Sequence, residues 1–181
     1  DRRPRSTRVP ITAKVVANML QAVGVASVLT MDLHADQLQG FFDIPVDHLR
    51  AAPILSRHIN RLKLDDLVIV SPDAGGVARA EDLRGRTGGS LAIISKRHPG
   101  PDVTEALEMV GDVNGSSAVI VDDMISTAGT LVVAAELLQQ RVAGETLSAA
   151  THGISAQDAL GLTDRSPIER LLAYKQQRGW R

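Results

Sequence analysis

The sequence predicts an α/β protein built on parallel sheet, and three observations carry that prediction. Short β-branched runs at Leu67–Val70 and Ala118–Val121 read as strands buried on both faces. Helical patterns alternate with such runs along the chain, the order expected of βαβ units. The polar clusters able to carry chemistry are Asp32 with His34, then Asp73, Lys96, and Asp122 with Asp123. All of them fall at the carboxyl ends of expected strands, where ligands bind in sheets of this kind.

The elements follow in order. Pro10 to Val23 has proline in its first turn and apolar residues at Val15, Val16, Met19, Leu20 and Val23, so it predicts a helix that Gly24 ends. Ser27 to Met31 predicts a short strand with Asp32-Leu33-His34 at its end. Pro53 to Leu62 predicts a helix, and Leu67 to Val70 a strand that feeds Ser71-Pro72-Asp73-Ala74-Gly75-Gly76. Val77 to Arg86 predicts a helix and Leu91 to Ile94 a strand. Lys96 to Val103 carries prolines and glycine and predicts a projecting loop. Val113-Asn114-Gly115-Ser116 predicts a turn before the strand that ends on Asp122 and Asp123. After a small-residue loop, Leu131 to Gln140 predicts a helix with Leu131, Ala134, Ala135 and Leu138 on its apolar face. Thr146 to Thr151 predicts the last strand. In the tail, Ile168, Leu171, Leu172 and Tyr174 stand at helical spacing.

Composition narrows the function. A chain of 181 residues can bury one good core or two small ones. Aromatics make up 2%, so Val, Ile, Leu and Ala must build that core. A net charge of −1 gives no global case for nucleic acid or a membrane surface. No apolar run approaches the roughly 18 residues that cross a bilayer. Cysteine is absent, which excludes disulfides and thiolate metal sites. No apolar segment of a signal peptide follows Asp1-Arg2-Arg3-Pro4-Arg5, so a cytoplasmic protein is expected. Arg2, Arg3, Arg5 and Arg8 read as a solvated terminus or an anion-binding arm.

The densest chemistry lies in Asp122 to Thr130. Backbone N–H groups at a helix start, with the Ser126, Thr127 and Thr130 hydroxyls, can surround a phosphate. Asp122 and Asp123 can accept hydrogen bonds from ribose hydroxyls, directly or through magnesium. The pattern also fits a buried strand with two solvated acids and an ordinary capped helix. Asp32 and His34, two apart in an extended chain, would point the same way and could hold a magnesium ion. His34 reads equally as a helix cap or a satisfied core histidine. Asp73 fits a structural Asx-turn, while Gly75 and Gly76 would let the backbone approach a phosphate. Lys96-Arg97-His98 is either a basic lid over a phosphate site or a solvated surface turn.

Together these segments resemble ribose-phosphate pyrophosphokinase, also called phosphoribosyl pyrophosphate synthetase. The resemblance rests on Arg8 to Lys14, the run from Met31 through Asp47, Val70 to Gly76, Lys96-Arg97, Val110 to Val113, Asp122 to Thr130 and Thr151-His152-Gly153. It implies a parallel-sheet, phosphoribosyltransferase-like (type I) fold with one nearly complete domain and the remnant of a second. Residues 1–45 would be the remnant of the N-terminal domain, 46–155 the C-terminal domain with the ribose 5-phosphate loop, and 156–181 a diverged tail. The resemblance implies transfer of the β,γ-diphosphoryl group of ATP to ribose 5-phosphate, giving 5-phosphoribosyl 1-pyrophosphate and AMP with Mg2+.

By the same resemblance Lys96 is the catalytic lysine, and His98, Asp122, Asp123, Ser126, Thr127, Ala128, Gly129 and Thr130 bind ribose 5-phosphate. His34 and Asp73 bind the metal, with Asp32, Asp43 and Asp47 as further metal candidates. His98 stands where the family carries arginine and supplies less charge at pH 7. Ser126 stands where the family carries aspartate. Implied partners are ATP, ribose 5-phosphate, and a homo-oligomer or a mixed assembly with a full-length homologue. Two alternatives stand beside this reading: a non-catalytic phosphoribosyl-binding regulator, and a phosphoribosyltransferase.

Overall fold

A computed structural model describes residues 9–97, 106–125, 129–141 and 143–153. The arginines ahead of Val9, His98 and the rest of the basic loop, Ser126 to Ala128, and the tail with Ile168 to Tyr174 lie outside the described residues. Two compact units divide the chain, Asp1–Ala51 and Ala52–Arg181. No helix among the described residues is long and apolar enough to cross a membrane.

The first unit holds helix α1 (Thr12–Ala22), strand β1 (Val28–Met31), a 3-10 turn (Asp36–Phe41) and strand β2 (Val46–Leu49). Gly24, at φ +88°, lets the helix close as expected: the Val25 N–H reaches back to the Leu20 carbonyl at 3.1 Å. β1 and β2 pair in parallel, Val28 opposite Val46. This pairing places Val46–Leu49 in the first unit.

The second unit is a five-stranded sheet in the order β5-β4-β3-β6-β7. Its strands are β3 (Leu67–Ser71), β4 (Ser90–Arg97), β5 (Ala106–Val110), β6 (Ser117–Ile125) and β7 (Thr146–Gly153). β3 pairs in parallel with both β4 and β6, and β6 with β7; β5 is an antiparallel edge. Its described helices are α2 (Ala52–Leu62), α3 (Val77–Thr87) and α4 (Gly129–Gln140).

Period-two alternation along β3 and β6 divides the core. Val68, Val70, Ala118 and Ile120 pack with Leu131, Ala134, Ala135 and Leu138 of α4. Ile69, Val119 and Val121 pack with Ile59 of α2 and with Ala80 and Leu83 of α3. The apolar face predicted for α4 is therefore the buried one.

Three expectations change. Lys96 and Arg97 end strand β4 instead of opening a loop, because β5 pairs with them in a hairpin, Lys96 opposite Leu107 and Arg97 opposite Ala106. Asp122 and Asp123 lie within β6, which runs on to Ile125 because β7 pairs with it that far. Asp32 is not extended: its φ of +44° breaks the alternation that would put its side chain beside that of His34.

Two glycines give opposite expected responses to a methyl group. Gly111, at φ +111°, returns the chain from β5, and a Cβ there would stand 2.8 Å from the Leu91 carbonyl oxygen and 2.9 Å from the Ala92 Cα. Gly111→Ala should cost roughly 2 kcal/mol. Gly85 is exposed within α3, and a Cβ there would meet nothing within 4 Å. Gly85→Ala should add about 0.5–1 kcal/mol through helix propensity. Urea unfolding of both variants beside the parent checks the pair of signs.

Candidate functional site

At its carboxyl end β3 enters a turn with closed hydrogen bonding. Ser71, fully buried, donates through Oγ to the Asp73 carbonyl at 2.7 Å, and Asp73 Oδ1 accepts the Gly76 N–H at 2.8 Å. A Cβ on Gly76 would stand 2.9 Å from Ser71 Oγ, so the turn closes tightly only around glycine. Asp73 thus has the structural role expected of an Asx-turn, and its exposed carboxylate is also fixed in direction at the sheet's end.

β3 stops at Ser71, opposite Val121 by the register of the preceding pairs, and β6 continues past it. Among the described residues, no strand lies beside the flank of Asp122 and Asp123 on that side. Arg79, in the first turn of α3, occupies it: Nη1 lies 3.2 Å from Asp122 Oδ1 and Nη2 lies 3.4 Å from Asp123 Oδ2. The Asp123 N–H also donates to Asp122 Oδ1 at 2.8 Å, and His152 Nδ1 lies 3.2 Å from the Asp123 carbonyl. The Asp123 side chain is 7% exposed and that of Asp122 20%. A buried carboxylate pair of this kind needs a counter-charge, and the guanidinium fork supplies it.

Asp122 is pushed up to about 6, mainly because burial penalises its charge and further because Asp123 lies beside it. The Asp123 N–H and Arg79 pull in the other direction. The folded chain therefore holds a proton that the unfolded chain, near the ordinary 3.8, has released. That contribution to stability is complete below the unfolded value and is lost as pH rises through about 6.

Beyond β6, Gly129 and Thr130 open α4, so the helix start lies a few residues from the two acids. The N–H groups and dipole of a helix start favour an anion. Ser126, Thr127 and Ala128 of the predicted loop, like His98 of the basic loop, fall outside the described residues. Lys96 belongs to the strand end of β4, at the same end of the sheet as Asp73 and Asp122. A polar groove of about 630 Å³, bordered by Lys63, Thr87 and Gly88, lies at the opposite end. There α2 and α3 present their carboxyl termini, whose dipoles repel phosphate.

The metal candidates of the first unit are spread out. Asp43 is tied to α1: its N–H donates to Gln21 Oε1 at 2.8 Å, and its Oδ2 accepts from Gln21 Nε2 at 3.2 Å. Asp32 accepts the Ala51 N–H, and Asp47 is exposed on β2. His34 is exposed beyond β1, and Asp73 belongs to the other unit. Among the described residues no three His, Cys, Asp or Glu side chains form a group able to hold a metal, so Asp32, His34, Asp43 and Asp47 do not make a joint cage. Magnesium does not require one: it takes one or two carboxylates with substrate phosphate oxygens and keeps its waters. Asp73, directed and exposed, fits such a role.

Arg79 carries no motif of its own and stands 43 residues from Asp122, so sequence reasoning missed it. Its one signal is a position three residues after Gly76, in the first turn of the helix that follows a glycine turn. His152 was visible only as part of Thr151-His152-Gly153.

Known proteins match both the sequence and the fold. The family model for the phosphoribosyl synthetase-associated domain matches residues 92–175. The chain is 51% identical over 172 residues to the ribose-phosphate pyrophosphokinase of Chromobacterium violaceum, covering 95% of this chain and 53% of that protein. It is 52% identical to the Bordetella pertussis protein of the same name, with 95% and 56% covered. The crystal structure of phosphoribosylpyrophosphate synthetase from Mycobacterium smegmatis superposes with a TM-score of 0.74 at 40% identity, over 91% of this chain and 51% of that one. The chain thus spans about half the length of the curated relatives it matches.

Proposed function

We propose, from the premise that this chain is homologous to ribose-phosphate pyrophosphokinase over about half that protein's length, that its second unit binds ribose 5-phosphate for diphosphoryl transfer from ATP. The observation that carries the reading is the Asp122–Asp123 pair, clamped by Arg79 just ahead of the start of α4. A phosphorylated sugar needs an anion site and hydroxyl acceptors, and two acids followed closely in the chain by a helix start support both roles. The 5-phosphate sits against the Ser126–Thr130 segment at the α4 N-terminus, and the ribose hydroxyls donate to Asp122. Arg79 offsets one of the two negative charges, which lessens the repulsion that the phosphate dianion meets.

In the transfer, the anomeric oxygen bonds to the β-phosphorus of ATP and the bond from that phosphorus to the α,β-bridging oxygen breaks. AMP leaves with the bridging oxygen, and the anomeric hydroxyl gives up its proton. Such reactions ask a protein mainly for positioning and charge neutralisation. Lys96, at the end of β4, supplies positive charge to the transferring group. Asp73 in the second unit and His34 in the first are each candidate magnesium ligands, and the ion would further neutralise the ATP phosphates. ATP and ribose 5-phosphate are the partners under this reading, and a homo-oligomer or mixed assembly goes with it.

Calorimetry with ribose 5-phosphate across pH 5 to 8 tests the site. Asp122 accepts hydroxyl hydrogens best when ionised, so affinity should rise as pH passes through about 6. The ligand's own phosphate titrates near 6 as well. Asp122→Asn removes only the protein's share, and a pH profile identical to the parent's would refute the assignment. Formation of AMP from ATP, magnesium and ribose 5-phosphate by the purified chain separates the enzyme reading from a binding-only regulator.

A further inference from the structure

The turn that ends β1 is held from the side by a histidine of β2. In the parallel register Thr30 lies opposite His48 and Met31 opposite Leu49. The Asp32 N–H extends the ladder to the Leu49 carbonyl at 3.0 Å, and Asp32 then turns left-handed. At that point the chain leaves the strand, and the Leu33 N–H donates to Nε2 of His48 at 2.9 Å. An imidazole nitrogen that accepts carries no proton, so the ring proton of His48 belongs on Nδ1. Nδ1 lies 3.8 Å from Asp36 Oδ1, and Asp36 is itself paired with Arg50 at 2.7 Å. The His48 side chain is 5% exposed, so water has little access to replace it as the acceptor. The Asp32 carboxylate, accepting the Ala51 N–H at 3.3 Å, ties the same turn to the chain following β2.

We propose that His48 is a positioning residue for His34. Its Nε2 fixes the peptide plane between Asp32 and Leu33, and with it the direction in which the next residue leaves the sheet. Isoleucine or leucine at this position would fill the space and leave that N–H without its acceptor. The inference rests on the reading of His34 as a ligand on the ATP and metal side of the reaction. It concerns the protein's own hydrogen bonding, so it has a readout independent of catalysis.

The test uses the 15N-labelled full chain, with Mn2+·ATP as the probe for the nucleotide side. In the parent, the His48 ring should show a protonated Nδ1 and a bare Nε2, and the Leu33 amide should exchange slowly. His48→Leu should speed that exchange at least tenfold and weaken Mn2+·ATP binding about tenfold. Ribose 5-phosphate affinity, reporting on the second unit, should stay within about twofold. His48→Gln, which keeps an acceptor, should recover most of both losses. Unchanged Leu33 exchange or unchanged Mn2+·ATP affinity in His48→Leu would overturn the proposal, as would a glutamine variant no better than leucine. His34→Ala distinguishes the two failures. If it leaves Mn2+·ATP binding intact, the reading of His34 fails and takes this role with it. If it weakens binding while His48→Leu does not, the positioning role alone fails.

Discussion

Replacing Arg79 with methionine is expected to weaken ribose 5-phosphate binding by roughly 100-fold and to lower stability by about 2 kcal/mol. Methionine keeps much of the length of arginine and removes the fork. The guanidinium now meets Asp122 at 3.2 Å and Asp123 at 3.4 Å, and its side chain is 22% exposed. Without it, two adjacent carboxylates share a largely buried strand segment, and Asp122, already near 6, moves higher. At pH 7 the chain then loses in two ways. More of Asp122 is protonated and no longer a full acceptor, and the remaining negative charge faces the phosphate uncompensated. The stability cost stays below the 3–5 kcal/mol typical of a fully buried broken pair because water still reaches this one. Arg79→Lys keeps the charge but gives it one point instead of a fork, so it should fall between the two. Calorimetry and urea unfolding on all three chains decide it. A methionine variant that binds within threefold of the parent would remove Arg79 from the site.

The core of the second unit was legible because its physics is local. Two β-branched runs and one 3.6-residue stripe specify which side chains must leave water, and Ile69, Val70, Ile120 and Leu138 are all fully buried. Where reading failed, the deciding partner was distant in the chain. Charge and strand propensity conflict, so local pattern puts the acids after the strand. β7 overrides that preference, pairing Asp122 with Ala150 and Met124 with His152. Strand β5, Ala106–Val110, is an edge with Glu108 in its middle, so it shows neither a continuous apolar run nor clean alternation. β2 is four residues long and identifiable only through β1.

The candidate site divides along the same line. Asp73, Asp122 and Asp123 could be named from their place after apolar runs. Arg79 could not, because its role exists only once β3 has ended before β6 and α3 has turned back over the gap. The extended geometry assumed for Asp32 and His34 failed for a related reason. The left-handed turn at Asp32 depends on Leu49, Ala51 and His48, acceptors and donors supplied from 15 or more positions later in the chain and invisible to local pattern.

Lys96→Ala is expected to cut AMP formation by roughly 10²- to 10³-fold while leaving ribose 5-phosphate affinity within about twofold. The asymmetry follows from where the lysine stands. β4 pairs Ser71 of β3 with Ile93, so the backbone at Lys96 lies three residues, about 10 Å, farther along the sheet's carboxyl end. It is therefore beyond the level of the Asp122–Arg79 clamp rather than in it. Pairing with Leu107 of β5 holds that backbone in a strand. Under the proposed reaction, a cation carried there would offset negative charge shifting toward the leaving AMP, while other groups would bind the sugar. Lys96→Arg should retain an intermediate rate, since charge survives and the donor geometry changes. Rapid-quench measurement of AMP beside calorimetry of ribose 5-phosphate separates the two effects. Equal losses in rate and sugar affinity would place Lys96 in the sugar site, and an unchanged rate would leave the neutralising charge to another group.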